Sequence, residues 1–250
     1  MTLRYKKLLV AAVLAAYLAA PAMGASAAAA EKATTAARPS SASTDGTEAN
    51  RLQNIKTKGD AEIGRRLATL GKLFTNIDAA TKLSASSKDA LATEVSTEAS
   101  ALAALRTKLA GETTVAAAAA DVQSMVSEYR VYALLVPKVQ LVRAADDQQV
   151  AEQKLSDLAT KLDARLSAAE KAGKNVGDLR VKLTDMAQNI TNAQGISTSV
   201  ESKVLPLQPS DYDSDHTVLS GYRDQLKTAH ADNQAAYADA KAIVQGVKGL

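Results

Sequence analysis

Asp211-Tyr212-Asp213-Ser214-Asp215-His216 places three carboxylates at alternate positions, the spacing with which a calcium loop begins its ligand set. Such a loop continues with Gly at its sixth position and a bidentate Glu at its twelfth, and this chain has His216 and Tyr222 there. A cation held by Asp211, Asp213, Asp215 and His216 alone would lack the bidentate ligand and bind weakly. The same residues have a second use. Ser214 or Asp215 ahead of a helix caps its free N–H groups, and acidic side chains there suit the helix dipole.

The other stretch with chemical potential is Ser127 to Asp146, "SEYRVYALLVPKVQLVRAAD". Tyr129, Arg130, Tyr132 and Arg143 could line a small pocket if Pro137 kinks a helix and leaves carbonyls without donors. Otherwise this is a core helix, its tyrosine rings buried and their hydroxyls paired with Arg130, Arg143 or Asp146. Val131 to Val136 is apolar on every side, so the helix either lies in a membrane or is surrounded by others. Lys138, Gln140 and Arg143 interrupt it short of the ~20 residues a span needs, and the central-helix reading stands.

Other chemistries find little to work with. The chain has no cysteine, which excludes disulfides, thiolate metal sites and a cysteine nucleophile. His216 and His230 are expected on one helix about 21 Å apart, too far to share a metal. There is no G-x-S-x-G, no P-loop and no GxGxxG, so no catalytic residues and no cofactor are assigned and an enzyme is not expected.

The elements that must position these residues are helical. Aromatics make up 3% of the 250 residues, so the core is built from Leu, Val, Ile and Ala, which favours closely packed helices. Arg4, Lys6 and Lys7 precede an apolar run, Leu8 to Ala20, and small residues follow, which marks 1–27 as a signal peptide cleaved after Gly24 or Ala27. Residues 28–50 are small and polar and read as a flexible linker. Residues 51–250 form the helical domain.

Six apolar seams with 3-4 spacing run through that domain. They are Ile63-Leu67-Leu70-Phe74-Ile77, Leu91-Val95-Leu102-Leu105-Leu109 with Glu98 at the missing position, and Val115-Ala119-Val122-Val126-Tyr129-Ala133-Val136. Then come Leu155 to Ala169, Val176 to Val204, and Leu219 to Val247 with Asn233 in the stripe. Ser86 and Asp89 suit a capping box, Gly111 a left-handed helix end, and Thr113 or Thr114 the next cap. Gly173 and Asn175 divide the fourth helix from the fifth, and Pro206 and Pro209 end the fifth. The expected fold is all-α, an elongated antiparallel helical bundle with coiled-coil-like packing.

Charge narrows the partners. Lys and Arg number 30 against 27 Asp and Glu, and Arg4, Lys6 and Lys7 account for the excess. Charges elsewhere alternate in sign along the helices, so neither nucleic acid nor a lipid surface is indicated.

The strings "KTKGDAEIGRRLATLGKL", "YRVYALLVPKVQLVRAAD", "DYDSDHTVL" and "LKTAHAD" together resemble a group of exported, alanine-rich bacterial helical proteins without an assigned activity. The resemblance covers most of 51–249 and implies export and an all-helical fold. It carries no site residues across. The function expected is that of a non-catalytic, secreted or envelope-associated bundle acting through its surface on a protein or envelope component. The alternative is an extracellular carrier of a small ligand or cation. A chaperone is a third reading, but Leu183-Thr184-Asp185-Met186-Ala187-Gln188 is one residue too long for an L-T-x-x-Q motif.

Overall fold

The structure, a computed structural model, describes residues 44–249. The expected signal peptide lies outside the described residues. Among the described residues seven helices follow one another: α1 Thr44–Asp78, α2 Ala85–Gly111, α3 Val115–Ser127, α4 Val136–Lys171, α5 Gly177–Val204, α6 Pro209–Ser214 and α7 Tyr222–Lys248, with a π-helical turn, Val131–Leu135, leading into α4. No strand occurs among the described residues. The fold is an all-α bundle.

The buried residues form two apolar clusters. The first joins α1 (Ile63, Leu70, Ile77), α2 (Leu91, Leu102), α3 (Met125), the π turn and the start of α4 with Val200 and Val204 of α5 and Leu226 of α7. The second joins Leu155, Leu162 and Leu166 of α4 with Met186 and Ile190 of α5 and Ala236, Ala240 and Ile243 of α7. α5 therefore runs antiparallel to both α4 and α7. Two glycines let helices approach closely, Gly59 of α1 against α2 and α3, and Gly246 of α7 against α5. A Cβ on Gly59 of α1 would lie 2.6 Å from Leu109 and 2.8 Å from Val122, and one on Gly246 of α7 would lie 2.5 Å from Leu179.

Between the clusters lies a layer of polar side chains. Glu152 accepts from Ser197 Oγ at 2.8 Å, and Asn233 Nδ2 donates to Gln148 at 2.8 Å. All four residues are buried, and in a low-dielectric interior such groups are tolerated because they bond to one another; of their atoms Asn233 Oδ1 is left without a partner.

Several local expectations change. α1 begins at Thr44, so the helical region takes in the end of the stretch assigned to the linker. Phe74 is exposed and Leu73 buried in its place, and on α3 Ala118 and Met125 are buried rather than Ala119 and Val126. α2 is capped by Ser84, whose side chain accepts from Ser87 N at 3.1 Å, and not by Ser86 with Asp89. The cap's own N–H donates to Asp146 of α4 at 2.9 Å, so a distant carboxylate does what a capping-box side chain does locally.

Gly111 remains helical and the chain leaves α2 through extended Glu112. Thr114 caps α3 as expected, accepting from Ala117 N. Gly173, at φ 76°, ends α4 with Lys174 N bonded to Ala169 O and Gly173 N to Glu170 O, the paired bonds of a left-handed terminus. Pro206 follows the end of α5, while Pro209 opens the additional helix α6. His216 lies between α6 and α7, not on the helix that carries His230.

The largest departure is at Arg130, which adopts φ 41° and ψ 35° and breaks the third seam. Pro137 sits in the first turn of α4, where its missing N–H costs nothing. In a regular helix its ring would strike the carbonyl four residues back; the wider π turn, in which Val136 N reaches Val131 O, relieves that clash. The left-handed residue and the wide turn together rotate the face that meets the core. Val131, Leu134 and Leu135 point inward, and Tyr132 is 46% exposed. The expectation that Tyr132 lies in the core is corrected.

Candidate functional site

The two stretches singled out by chemistry meet at the corner where α3 turns into α4. Arg130 reaches Asp213 of α6, Nε to Oδ1 at 2.8 Å and Nη2 to Oδ1 at 2.5 Å. Its guanidinium also lies over the Tyr212 ring, 5.5 Å from the centroid. A left-handed backbone costs an ordinary residue about 1–2 kcal/mol. Here the Arg130 carbonyl accepts from both Leu134 N and Leu135 N while the side chain ties down α6.

The remaining residues of the first group face different neighbours. Tyr129 is half-buried against the first apolar cluster, and burial, reinforced by Glu128 and Glu98, raises its pKa. Tyr132 points to α1, where its hydroxyl meets Thr69 Oγ1 at 3.3 Å and the Arg66 guanidinium stacks 5.2 Å from its ring centroid. Arg143 is half-buried on α4 and makes no hydrogen bond or ion pair with the described residues.

In the second group each carboxylate has its own partner. Asp211 accepts from Gln208 N at 2.7 Å and closes the capping box of α6. Asp213 holds Arg130. Asp215 accepts from Thr217 N at 2.8 Å and Thr217 Oγ1 at 2.6 Å, which keeps its pKa below the ordinary value. His216 stands edge-on to Tyr212 with centroids 5.0 Å apart. Among the described residues no group of three or more His, Cys, Asp or Glu is arranged to hold a metal ion.

Beneath this corner lies a charged cluster that the spacing of residues did not reveal. Lys138 is fully buried and donates to Glu94 of α2 at 2.8 Å and to the carbonyl of Leu207 at 2.7 Å. Its ammonium therefore pins the α5–α6 connection to α2. Glu98, one turn from Glu94, has a buried Oε2 that no group satisfies. Burial, then the neighbouring Glu94, raises the Glu98 carboxyl to about 7, with Lys138 opposing.

A second group of buried carboxyls lies along α4. Asp146 accepts from Ser84 N at 2.9 Å, and Glu201 of α5 accepts from Ser87 Oγ at 2.5 Å and Gln149 Nε2 at 2.6 Å. Burial first, and then Glu201 and Asp147, raise Asp146 to about 6 against the lowering effect of the Ser84 N–H. Glu152 is likewise raised by burial, with Ser197 and Asn233 opposing. Glu98 and Asn233 were visible as polar interruptions of apolar seams, and Lys138 as an interruption of an apolar run. Their partners, 44 to 85 residues away, were not.

No protein-family model, no curated protein and no solved structure matches this chain.

Proposed function

We propose that the chain is an exported, non-catalytic helical-bundle protein that acts through its surface, released or held non-covalently at the cell envelope. The observation that supports this reading is the use made of the chemically capable side chains. Arg130 and Asp213 tie α6 to the α3–α4 corner, Asp211 and Asp215 cap and turn the chain, and Lys138 fastens α2 to the α5–α6 connection. These groups serve the fold, and recognition falls to the outer faces. Export is supported by the basic, apolar and small-residue sequence of 1–27. No helix among the described residues is long and apolar enough to cross a membrane.

The test is fractionation of the native culture into medium, envelope and cytoplasm, followed by native mass spectrometry of the recovered protein. Recovery outside the cytoplasm, cleaved after Gly24 or Ala27 and without a retained small molecule, is expected. A cytoplasmic chain with an intact N-terminus overturns export. A stoichiometric retained ligand or metal replaces the surface reading with that of a carrier.

A further inference from the structure

Charges alternate in sign along the sequence of α1 but not around its surface. Arg51, Lys58, Arg65 and Lys72 recur every seven residues, and all four are exposed. α1 is one unbroken helix through these positions, so they form a single, slowly drifting row. Neighbours in it are about 10.5 Å apart along the axis, and the row is about 31 Å long. Beside it Asn54, Ala61, Ala68 and Thr75 repeat with the same period, short, neutral and exposed. Ile63, Leu70 and Ile77, which enter the core, belong to the other side of the helix.

The charge of the row is not cancelled locally. Of the acidic residues from 46 to 78, Asp60 is held by Arg106 and Asp78 by Lys88, both from α2. Glu62 is shared by Arg65 and Arg66, and Glu48 is exposed a turn ahead of Arg51. Arg51, Lys58 and Lys72 make no hydrogen bond or ion pair with the described residues. On the α4 side the neighbour is the uncharged ring of Tyr132, against Thr69 and Arg66. Residues 28–43 bring Glu31 against Lys32 and Arg38, so the stretch before α1 holds no surplus acid for this face.

We infer that the outer face of α1 is a docking track for a linear acidic glycan, whose anionic groups meet Arg51, Lys58, Arg65 and Lys72 in turn. This names a partner for the exported, surface-acting protein proposed above and rests on that reading. Seven helical residues rise about 10.5 Å, close to the length of an extended disaccharide, so one carboxylate per disaccharide keeps step with the cations. Phosphates along a nucleic acid strand are about 3.4 Å apart, roughly three for each cation, and the row has no aromatic side chain on which a base could stack. A lipid surface calls for large apolar anchors beside the cations, and here Asn, Ala and Thr stand in those places.

At the C-terminal end of the row a shallow depression is lined by Ala68, Gly71, Lys72, Thr75 and Asn76. It sets a hydroxyl and an amide beside the ammonium, groups that bond sugar hydroxyls. Exposed charges attract weakly and are screened by salt, so affinity arises from several contacts made at once.

The test is titration of the purified protein with a hyaluronan oligosaccharide of four disaccharides, which carries one carboxylate on each, followed by amide NMR. Perturbed resonances are expected to cluster within 51–76. Affinity is expected to fall about tenfold or more between about 25 and about 250 mM NaCl. Arg51→Gln, Lys58→Gln and Lys72→Gln together should weaken binding about tenfold or more. Lys154→Gln, Lys203→Gln and Lys241→Gln, exposed on α4, α5 and α7, remove the same charge and should change it less than about twofold. All six are surface changes to a good helix former, so the fold is expected to survive them.

No binding at the lower salt overturns the inference. So do equal losses in the two triple variants, or wild-type resonances perturbed mainly outside 51–76. Tighter binding of oligo(dT) or of phosphatidylglycerol vesicles, lost in the first triple variant, gives the row to nucleic acid or lipid and overturns the glycan. The two readings fail separately: an exported chain that does not bind loses the track alone, and a cytoplasmic chain that binds loses export alone.

Discussion

Arg130 and Asp213 stand 83 residues apart in the chain and 2.5 Å apart in space, Nη2 to Oδ1. They belong to two stretches that the sequence presents as separate candidates for chemistry. Their pairing makes one corner of both. The connection from Leu205 to Gly221 has no buried residue and is held there by this ion pair and by Lys138 through Leu207.

Asp213→Ala should therefore act locally. The pair is substantially exposed and contributes on the order of 0.2–1 kcal/mol to global stability. The expected result is a melting temperature lowered by no more than about 3 °C together with faster proteolytic cleavage between 205 and 221. Limited proteolysis read by mass spectrometry checks this; an unchanged cleavage rate would show that the pair holds nothing.

Tyr132→Ala and Leu134→Ala separate the exposed from the buried side of the π turn. Tyr132 is 46% exposed and pairs at the surface with Thr69 and Arg66 of α1, so its loss should cost under about 1 kcal/mol. Leu134 is 1% exposed, and its truncation should cost about 2–5 kcal/mol. Urea unfolding of the two variants measures both, and a cost for Tyr132→Ala as large as for Leu134→Ala would contradict the turn geometry.

Lys138→Ala should be among the most damaging single changes, about 3–5 kcal/mol, because it strands Glu94 and the Leu207 carbonyl around an uncompensated charge. Lys138→Ala combined with Glu94→Gln should recover part of that loss. Denaturant unfolding of the single and double variants gives the coupling, and additive losses would show that the two residues are independent.

Glu152→Gln tests the polar layer. The pKa of Glu152 is raised, so its contribution is present below the ordinary value near 4.5 and is lost as pH rises through the folded value. Glutamine removes the ionising group while its carbonyl oxygen can still accept from Ser197 Oγ. At pH 8 the variant should melt at or above the wild-type temperature, and at pH 4 it should show no advantage. A variant that is much less stable at pH 8 would mean that the ionised form is the native one.

Gly59→Ala and Gly71→Ala should move in opposite directions. Both gain helix propensity, about 0.5–1 kcal/mol. A methyl on Gly59 meets buried Leu109 and half-buried Val122 from two different helices at under 3 Å, whereas one on Gly71 meets nothing within 4 Å. Net destabilisation is expected at Gly59, where overpacking costs about 1–3 kcal/mol, and net stabilisation at Gly71. Thermal melts of the two variants decide it.

The helices and most of their buried faces were legible because 3-4 spacing is a local property: Leu91 to Leu109 and Met186 to Val204 lie where periodicity places them. Thr114 and Gly173 were legible for the same reason. The orientation of Tyr132 was not, because 131–136 reads as apolar on every side and the turn at Arg130 leaves one side of it facing outward. The cap at Ser84 was missed because part of it comes from Asp146. Lys138 reads as a polar interruption until Glu94 and Leu207 are placed around it, and those contacts are tertiary.

The polar layer also fixes register. Apolar seams of Ala, Leu and Val tolerate sliding, since one turn along the axis, about 5.4 Å, brings another small apolar side chain to the same place. Moving α7 one turn past α4 would set Asn233 beside Ala145 or Leu155 and leave Glu152 or Gln148 without it. Each such misalignment strands further buried polar groups, so one alignment of α4, α5 and α7 keeps the bonds of Gln148, Glu152, Ser197 and Asn233 together. In a bundle with so few aromatic side chains to key its helices, Gln148, Glu152, Ser197 and Asn233 serve as the index mark.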